Sequence, residues 1–323
     1  MQDLYGTVVV ITGASSGAGR AIANEFAATG ATLVLASRRE QSLREVAEEC
    51  RSLGAVVHEV ITDVRRGTDV AKLARSASEL TGKIDIWINN AGVLAAGGFD
   101  DIPEEVNTNV VLTNLMGYMH GAQYALPYFK QQGYGMLFNN ISVGGWFATP
   151  YAAAYTASKF GIRGFSESLK AELHDYPDIH IIDLYPGFLD TPGIQHAANY
   201  TGKTLMPAPP VYDPRKLARA ILRLVRYPVQ KKTVGAASAF LRIAYATFPG
   251  LSRTITSAVM RGYFKKAKPI SETPGNVLFP VEYGNSIYGG WSRKLTPKPR
   301  TFAIAGAALV GLIFLASCLK GEK

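Results

Sequence analysis

T-V-V-V-I-T-G-A-S-S-G-A-G-R-A-I-A-N-E-F-A-A-T-G, Thr7 to Gly30, is the stretch that decides the fold. Val8 to Ile11 is a short β-branched apolar run, the pattern of a strand buried on both faces. From Ala21 the apolar residues recur at helical spacing, and Gly30 supplies the stop. Between strand and helix lies T-G-A-S-S-G-A-G-R, Thr12 to Arg20. Such a turn lets backbone N–H groups approach a phosphate at the positive end of the helix. Gly13, Ser15, Ser16, Gly17 and Gly19 are therefore candidate phosphate-binding residues. Their spacing, G-x-x-x-G-x-G, is one residue wider at its start than the common G-x-G-x-x-G fingerprint. A tight turn would explain the glycines by themselves; the strand before and the helix after favour phosphate binding.

Reading outward, Ala31 to Ser37 is a second strand, and Ser37-Arg38-Arg39 follows it. That position reads the adenosine ribose, where an acid would accept from the 2′-hydroxyl. Two guanidiniums with no carboxylate suit a 2′-phosphate, so NADP(H) is expected over NAD(H). Residues 40–53 read as an amphipathic helix and 55–61 as a third strand, after which Asp63 and Val64 are placed at the adenine edge. A helix over about 68–81 leads to strand I-D-I-W-I and then to Asn89-Asn90-Ala91-Gly92, whose small residues let backbone pass close to a flat ligand. Residues 104–132 read as one long helix carrying Asn114 and Gly117. A mid-helix Asn is unfavourable unless its amide is used, and Gly117 marks a bulge or close contact.

Gly135 to Ile141 is the fifth strand and delivers Ser142. The next helix carries Tyr155 and Lys159, which a four-residue step places on one face. An ammonium beside a phenol favours the phenolate, which would make a general acid/base. Tyr-x-x-x-Lys is a common spacing, and its weight comes from the cofactor site built upstream. A sixth strand, 179–184, ends at Pro186-Gly187, with Thr191 beyond its carboxyl end. Residues 188–213 read as a mobile lid, with His196 and Tyr200 either touching ligand or, as the preferred reading, facing solvent. Trp146, Phe147, Tyr151 and Phe188 are candidates for an apolar pocket wall or for core.

Taken together, these residues resemble the short-chain dehydrogenase/reductase family in its single-domain form, over roughly residues 5–235. The resemblance implies an α/β fold: a Rossmann-like, doubly wound, seven-stranded parallel sheet. It implies that Tyr155 exchanges a proton with the substrate oxygen. Lys159 would lower the tyrosine pKa and hold the nicotinamide ribose. Ser142 would hydrogen-bond the substrate oxygen, and Asn114 would hold a water in a relay to Lys159. Thr191 and the backbone near Phe188 would hold the carboxamide.

The expected domains are a catalytic unit over 1–236, a basic and hydrophobic helical extension with linker over 237–300, and one transmembrane helix over 301–319. Residues 1–200 carry 14 basic and 21 acidic side chains, whereas residues 201–323 carry 20 basic and 4 acidic. That asymmetry calls for a polyanionic partner. Thr301 to Leu319 is uninterrupted by charge and long enough to cross a bilayer. A tail anchor is therefore expected, with the catalytic unit cytoplasmic on the flanking charges. Membrane lipid then accounts for the basic half, and no nucleic-acid motif accompanies it. Residues 237–266 read as two helical pieces broken at Pro249-Gly250, packed on the catalytic unit or lying on lipid. Residues 267–300 read as an irregular linker.

Two cysteines give no disulfide framework, and five scattered histidines give no metal site. No cleaved signal peptide is expected. The expected function is membrane-anchored, NADP(H)-dependent interconversion of a carbonyl and an alcohol on an apolar substrate, with a homo-oligomer compatible. The alternative is an NADP(H)-binding regulator or scaffold without turnover. An epimerase or dehydratase relative would carry a different glycine pattern and a larger C-terminal substrate domain.

Overall fold

The computed structural model describes residues 4–294. Strand β1 (Val8–Thr12) passes through the glycine turn into α1 (Gly17–Ala27), and the unit repeats as β2 (Thr32–Ser37), α2 (Glu40–Ser52), β3 (Val56–Ile61) and α3 (Gly67–Glu79). After β4 (Ile86–Asn89) come the two-residue β5 (Ala95–Ala96), α4 (Glu104–Val111), a π-helical turn at Leu112–Met116, and α5 (Gly117–Gln132). Then follow β6 (Gly135–Asn140), α6 (Ala153–Glu172), β7 (Ile179–Pro186), β8 (Ala198–Asn199), α7 (Pro214–Arg226) and β9 (Lys231–Val234). Helices α8 (Ala236–Thr247) and α9 (Pro249–Lys266) extend the chain beyond the sheet.

The main sheet has seven parallel strands in the order β3-β2-β1-β4-β6-β7-β9. Val8 to Ile11 are fully buried because apolar layers cover both faces of the sheet. One layer packs α1, α2 and α7 against it through Phe26, Leu43 and Ile221. The other packs α3, α5 and α6 through Leu73, Phe129 and Leu169. Strand order reverses between β1 and β4, which opens a crevice at their carboxyl ends. Thr12 and Asn90 brace that crevice: the Thr12 hydroxyl donates to Ile88 O and accepts from the Asn90 and Ala91 N–H groups. The Asn90 amide donates to Thr12 O and Gly13 O.

A buried polar ladder links the ends of β4, β6 and β7. Asn89, Asn139 and Asp183 occupy adjacent registers. Asn89 donates to the Asn139 carbonyl at 3.0 Å, and Asn139 donates to the Asp183 carboxylate at 3.4 Å. Ser166 at 2.5 Å and Lys170 at 2.6 Å complete the aspartate's partners, which a fully buried carboxylate requires. Asn89 is thus a structural residue, whereas its neighbour Asn90 reaches the crevice.

The helix expected over 104–132 is interrupted where Asn114 sits. A π-helical turn inserts an extra residue per turn and commonly marks a functional position. The two helical pieces expected around Pro249-Gly250 are α8 and α9, and they pack on the catalytic unit. Arg242 lies 4.5 Å from the centre of the Trp146 ring, Tyr245 stacks edge-on to Phe147, and Phe264 stacks edge-on to Tyr151. Residues 268–292, expected to be irregular, are so apart from short helices at Gly275–Leu278 and Trp291–Lys294, and part of this stretch is bonded along the mouth of the crevice. Among the described residues, no helix is long and apolar enough to cross a membrane. The expected span at 301–319 lies outside the described residues.

Candidate active site

Ser142 leaves β6 with φ at 96°, a left-handed conformation that a residue with a side chain occupies only at a cost of about 1–3 kcal/mol. Surrounding bonds hold it there. Its N–H donates to Leu184 O, its carbonyl accepts from Gly145 N, and its hydroxyl accepts from Gly144 N at 3.2 Å. The same hydroxyl is hydrogen-bonded to the Tyr155 phenol. Tyr155 stands in the first turn of α6, and Lys159 follows one turn later. The Lys159 ammonium is 5.7 Å from the centre of the Tyr155 ring and 5.0 Å from that of Tyr118, and it donates to Asn140 O at 3.2 Å. Serine, phenol and ammonium therefore converge at one point.

Protein groups alone do not lower the Tyr155 pKa as the pairing with Lys159 suggested. Burial raises it, opposed only by the Ser142 hydrogen bond. Burial also pulls Lys159 down to about 7. The reason is desolvation: with no carboxylate beside it, one carbonyl and two rings do not make up for the lost hydration. Lys159 therefore carries a pH-dependent cost to folding. Below about pH 7 the lysine is charged in both folded and unfolded chains and the penalty is fully present. Between there and the ordinary lysine range the folded chain sheds its proton first, so the penalty fades as pH rises. Comparing wild type with Lys159→Met by thermal melts from pH 6 to 10, wild type is expected to gain on the variant as pH climbs, by roughly a few kcal/mol. A difference independent of pH contradicts the buried, uncompensated lysine.

Asn114 is committed to bracing. Its Oδ1 accepts from Val93 N at 2.8 Å, and its Nδ2 donates to Val93 O at 2.9 Å and Ser158 Oγ at 3.1 Å. It ties the loop after β4 to the helix that carries Tyr155. The other expected site residues line a single cavity of about 380 Å³: Gly13, Ser15, Ser16, Gly17, Gly19, Arg38, Arg39, Asp63, Val64, Asn90, Ala91, Gly92, Ser142, Tyr155, Lys159, Pro186, Gly187 and Thr191.

The lining fits a dinucleotide. Helix α1 begins at the cavity with no acidic residue in its first turn and no side-chain cap on Ser16, so its positive end meets no competing side chain there, and of its first amides Gly17 N donates to Ser286 O. A Cβ on Gly19 would stand 2.1 Å from Gly13 O, so only glycine keeps the turn closed over the helix start. A Cβ on Gly92 would stand 3.4 Å from Asn114 Oδ1 and 3.9 Å from Lys159 Nζ. At the adenosine end the Asp63 carboxylate is paired with Arg65 at 2.5 Å. Arg38 and Arg39 are present there, with burial lowering both of their pKa values.

Leu94, Val143, Phe188 and Ile194 are among the apolar residues that line the cavity. Of the four aromatics considered from sequence, only Phe188 faces the cavity; Trp146, Phe147 and Tyr151 are turned toward α8 and α9. His196 does not face solvent: it is 4 % exposed, its ring contacts Tyr283 O at 3.0 Å, and it lines the cavity, as the alternative of ligand contact requires. Its segment is not a free lid, since β8 pairs with β5 and Asn199 pairs with Thr273. The sequence reading missed Asn276, Pro280 and Val281, which form part of the cavity wall. They carry no motif, and the contacts that place them are made largely by backbone carbonyls.

Residues 7–200 match the family model for short chain dehydrogenase. An uncharacterized oxidoreductase of Bacillus subtilis, YxnA, is 30% identical across 97% of this chain and 90% of its own length. The 11-beta-hydroxysteroid dehydrogenase A of Sesamum indicum is 38% identical over 59% of this chain, which spans about half of that protein, 54%. The solved alcohol dehydrogenase of the archaeon Thermococcus sibiricus, complexed with 5-hydroxy-NADP, superimposes with a TM-score of 0.63. It is 26% identical and covers 71% of this chain and 95% of its own.

Proposed function

Because this chain belongs to the short-chain dehydrogenase family, an oxidoreductase family acting on CH–OH and C=O groups, we propose that it is a membrane-anchored, NADP(H)-dependent reductase of apolar carbonyl compounds. The observation that carries the reading is the meeting of Ser142, Tyr155 and Lys159 in the cavity that also holds the glycine turn and Arg38 and Arg39.

The dinucleotide, when bound, supplies or accepts the hydride, and the protein's own groups handle the oxygen. Hydride addition to a carbonyl carbon leaves negative charge on oxygen. The Ser142 hydroxyl and the Tyr155 phenol, already hydrogen-bonded to each other, stabilise that charge, and the phenol gives up its proton. Burial keeps the phenol protonated at neutral pH, which suits the reducing direction. Lys159, with its pKa depressed to about 7, is placed behind the phenol to hand a proton back to the phenolate. The glycine turn and the α1 N-terminus would hold the diphosphate, Arg38 and Arg39 would hold a 2′-phosphate, and Pro186, Gly187 and Thr191 would hold the nicotinamide end.

The apolar lining supports an apolar substrate, as does the printed name of the sesame relative, whose activity remains that protein's own. The test is NADPH oxidation with a panel of steroid ketones, long-chain aldehydes and small polar carbonyls. Turnover confined to small polar carbonyls would remove the apolar-substrate reading.

Membrane attachment is supported by the uncharged run Thr301–Leu319 and by the excess of basic residues after residue 200. Helices α8 and α9 add outward-facing Ile243 and Val259, 64% and 63% exposed, beside exposed Arg253, Arg261, Lys265 and Lys266. The full chain is expected to stay with membranes through alkaline carbonate washing, and a chain ending at Arg300 to be released. Release of the full chain would count against an anchor.

A further inference from the structure

The segment after α9 runs from the adenosine end of the cleft to the loop after β7. At the adenosine end, Arg38 Nη2 donates to Asn276 O at 2.5 Å. Arg39 Nη1 donates to Val281 O at 2.7 Å and to the Asn285 side chain. Arg20 Nη1 donates to Asn285 O at 2.5 Å, and Gly17 N, in the phosphate turn itself, donates to Ser286 O at 3.0 Å. The same segment is fastened at the other end by Asp190. That carboxylate accepts from Trp291 N at 2.8 Å, Ser292 N at 3.2 Å and Ser292 Oγ at 2.5 Å. The Trp291 indole donates to Thr191 O at 2.9 Å. The three donors hold the Asp190 carboxyl below the usual carboxylate range, so the fastening is ionised at neutral pH.

Two observations show that this segment belongs to the ligand site rather than merely covering the fold. Asn276, Pro280 and Val281 line the same cavity as the catalytic tyrosine. In addition, Asn276 Oδ1 is buried with no hydrogen-bond partner in the protein, a condition that costs free energy unless a ligand or water satisfies it.

We propose that residues 274–292 are the outer wall of the dinucleotide cleft, that Asn276 offers its carboxamide to the adenosine half of the cofactor, and that Asp190 is the positioning residue that fastens the wall shut. The inference rests on the dinucleotide reading above. The wall does two things for it. Its carbonyls fix the two guanidiniums in place before a 2′-phosphate arrives, which lowers the ordering cost of binding. It also shields the adenosine end, so that dissociation requires the segment to lift.

The test combines hydrogen exchange with cofactor release on the full chain. In wild type, saturating NADPH is expected to slow amide exchange across residues 274–292 at least tenfold, together with the glycine turn. Asp190→Ala is expected to speed exchange of 274–292 without any cofactor present. It should also raise the NADPH dissociation rate at least tenfold, measured by displacement of nicotinamide fluorescence. The rate of the hydride step at saturating cofactor should stay within about threefold, giving a KM effect with little kcat effect. Asn276→Leu should raise the NADPH dissociation constant severalfold with no change in exchange of the free protein.

If NADPH binds and protects the glycine turn but not 274–292, the wall is overturned and the dinucleotide reading stands. If NADPH neither binds nor protects the glycine turn, both fall. Should Asp190→Ala fail to fold, the wild-type exchange map and Asn276→Leu still decide. Loss of the hydride step in step with cofactor release would place Asp190 in a general structural role and overturn the fastening.

Discussion

Replacing Tyr155 with phenylalanine is expected to slow carbonyl reduction by about 10²–10⁴-fold, with NADPH affinity within a few-fold of wild type. The substitution removes one oxygen and keeps the ring. That ring packs close enough to Gly144 that a Cβ there would lie 3.0 Å from Tyr155 Cε1, so the local packing persists. What is lost is the proton donor and the partner of Ser142. The direction of the tyrosine shift adds a pH signature. A pKa raised by burial means the phenol keeps its proton through neutral pH, so reduction should be flat there. Oxidation needs the phenolate and should rise as pH increases above neutral. Steady-state rates in both directions between pH 6 and 10, for wild type and Y155F, test this. An undiminished rate in Y155F would remove the tyrosine from the chemistry.

The second large effect concerns the choice of cofactor. Arg38→Asp combined with Arg39→Ser should shift the NADPH-to-NADH preference in kcat/KM toward NADH by roughly 10²-fold, since hydrogen bonds to a charged group are each worth about 1.5–3 kcal/mol. Both arginines also hold the segment over the cleft, so the double variant is expected to weaken both cofactors. The ratio is therefore the informative quantity. Arg39 makes all its hydrogen bonds to the segment through Nη1, leaving Nε and Nη2 without a hydrogen-bond partner among the described residues. Loss of both cofactors in equal proportion would mean that the arginines only support the wall and do not read the phosphate.

Much of this fold is written locally. The strand-turn-helix of Thr7–Gly30 needs only its own residues to be recognised, and each later strand repeats the signal. Ser142, Tyr155 and Lys159 were legible for the same reason: a strand end and one helical turn fix their relation. What was not legible depends on distant partners. Asn89 reads as part of a small-residue loop, but its amide partner is fifty residues away across two strand ends. Trp146 reads equally as pocket wall or core until α8 is laid beside it. The segment over the cleft gives no periodicity, because main-chain carbonyls do much of the bonding and these are the same in every residue. The direction of the Tyr155 shift was misread because spacing shows that a lysine is near but not that both groups are out of water, where desolvation outweighs proximity.

The central claim is that this cavity transfers a hydride between a nicotinamide and a carbonyl carbon. The most direct measurement uses NADPH deuterated on the transferable C4 position, incubated with the full chain and an apolar carbonyl panel, with products analysed by mass spectrometry. One or more carbonyls are expected to become alcohols carrying a single deuterium on the former carbonyl carbon, and Y155F is expected to form little of this product. Cofactor binding with no deuterium in any product, across the whole panel, would contradict it.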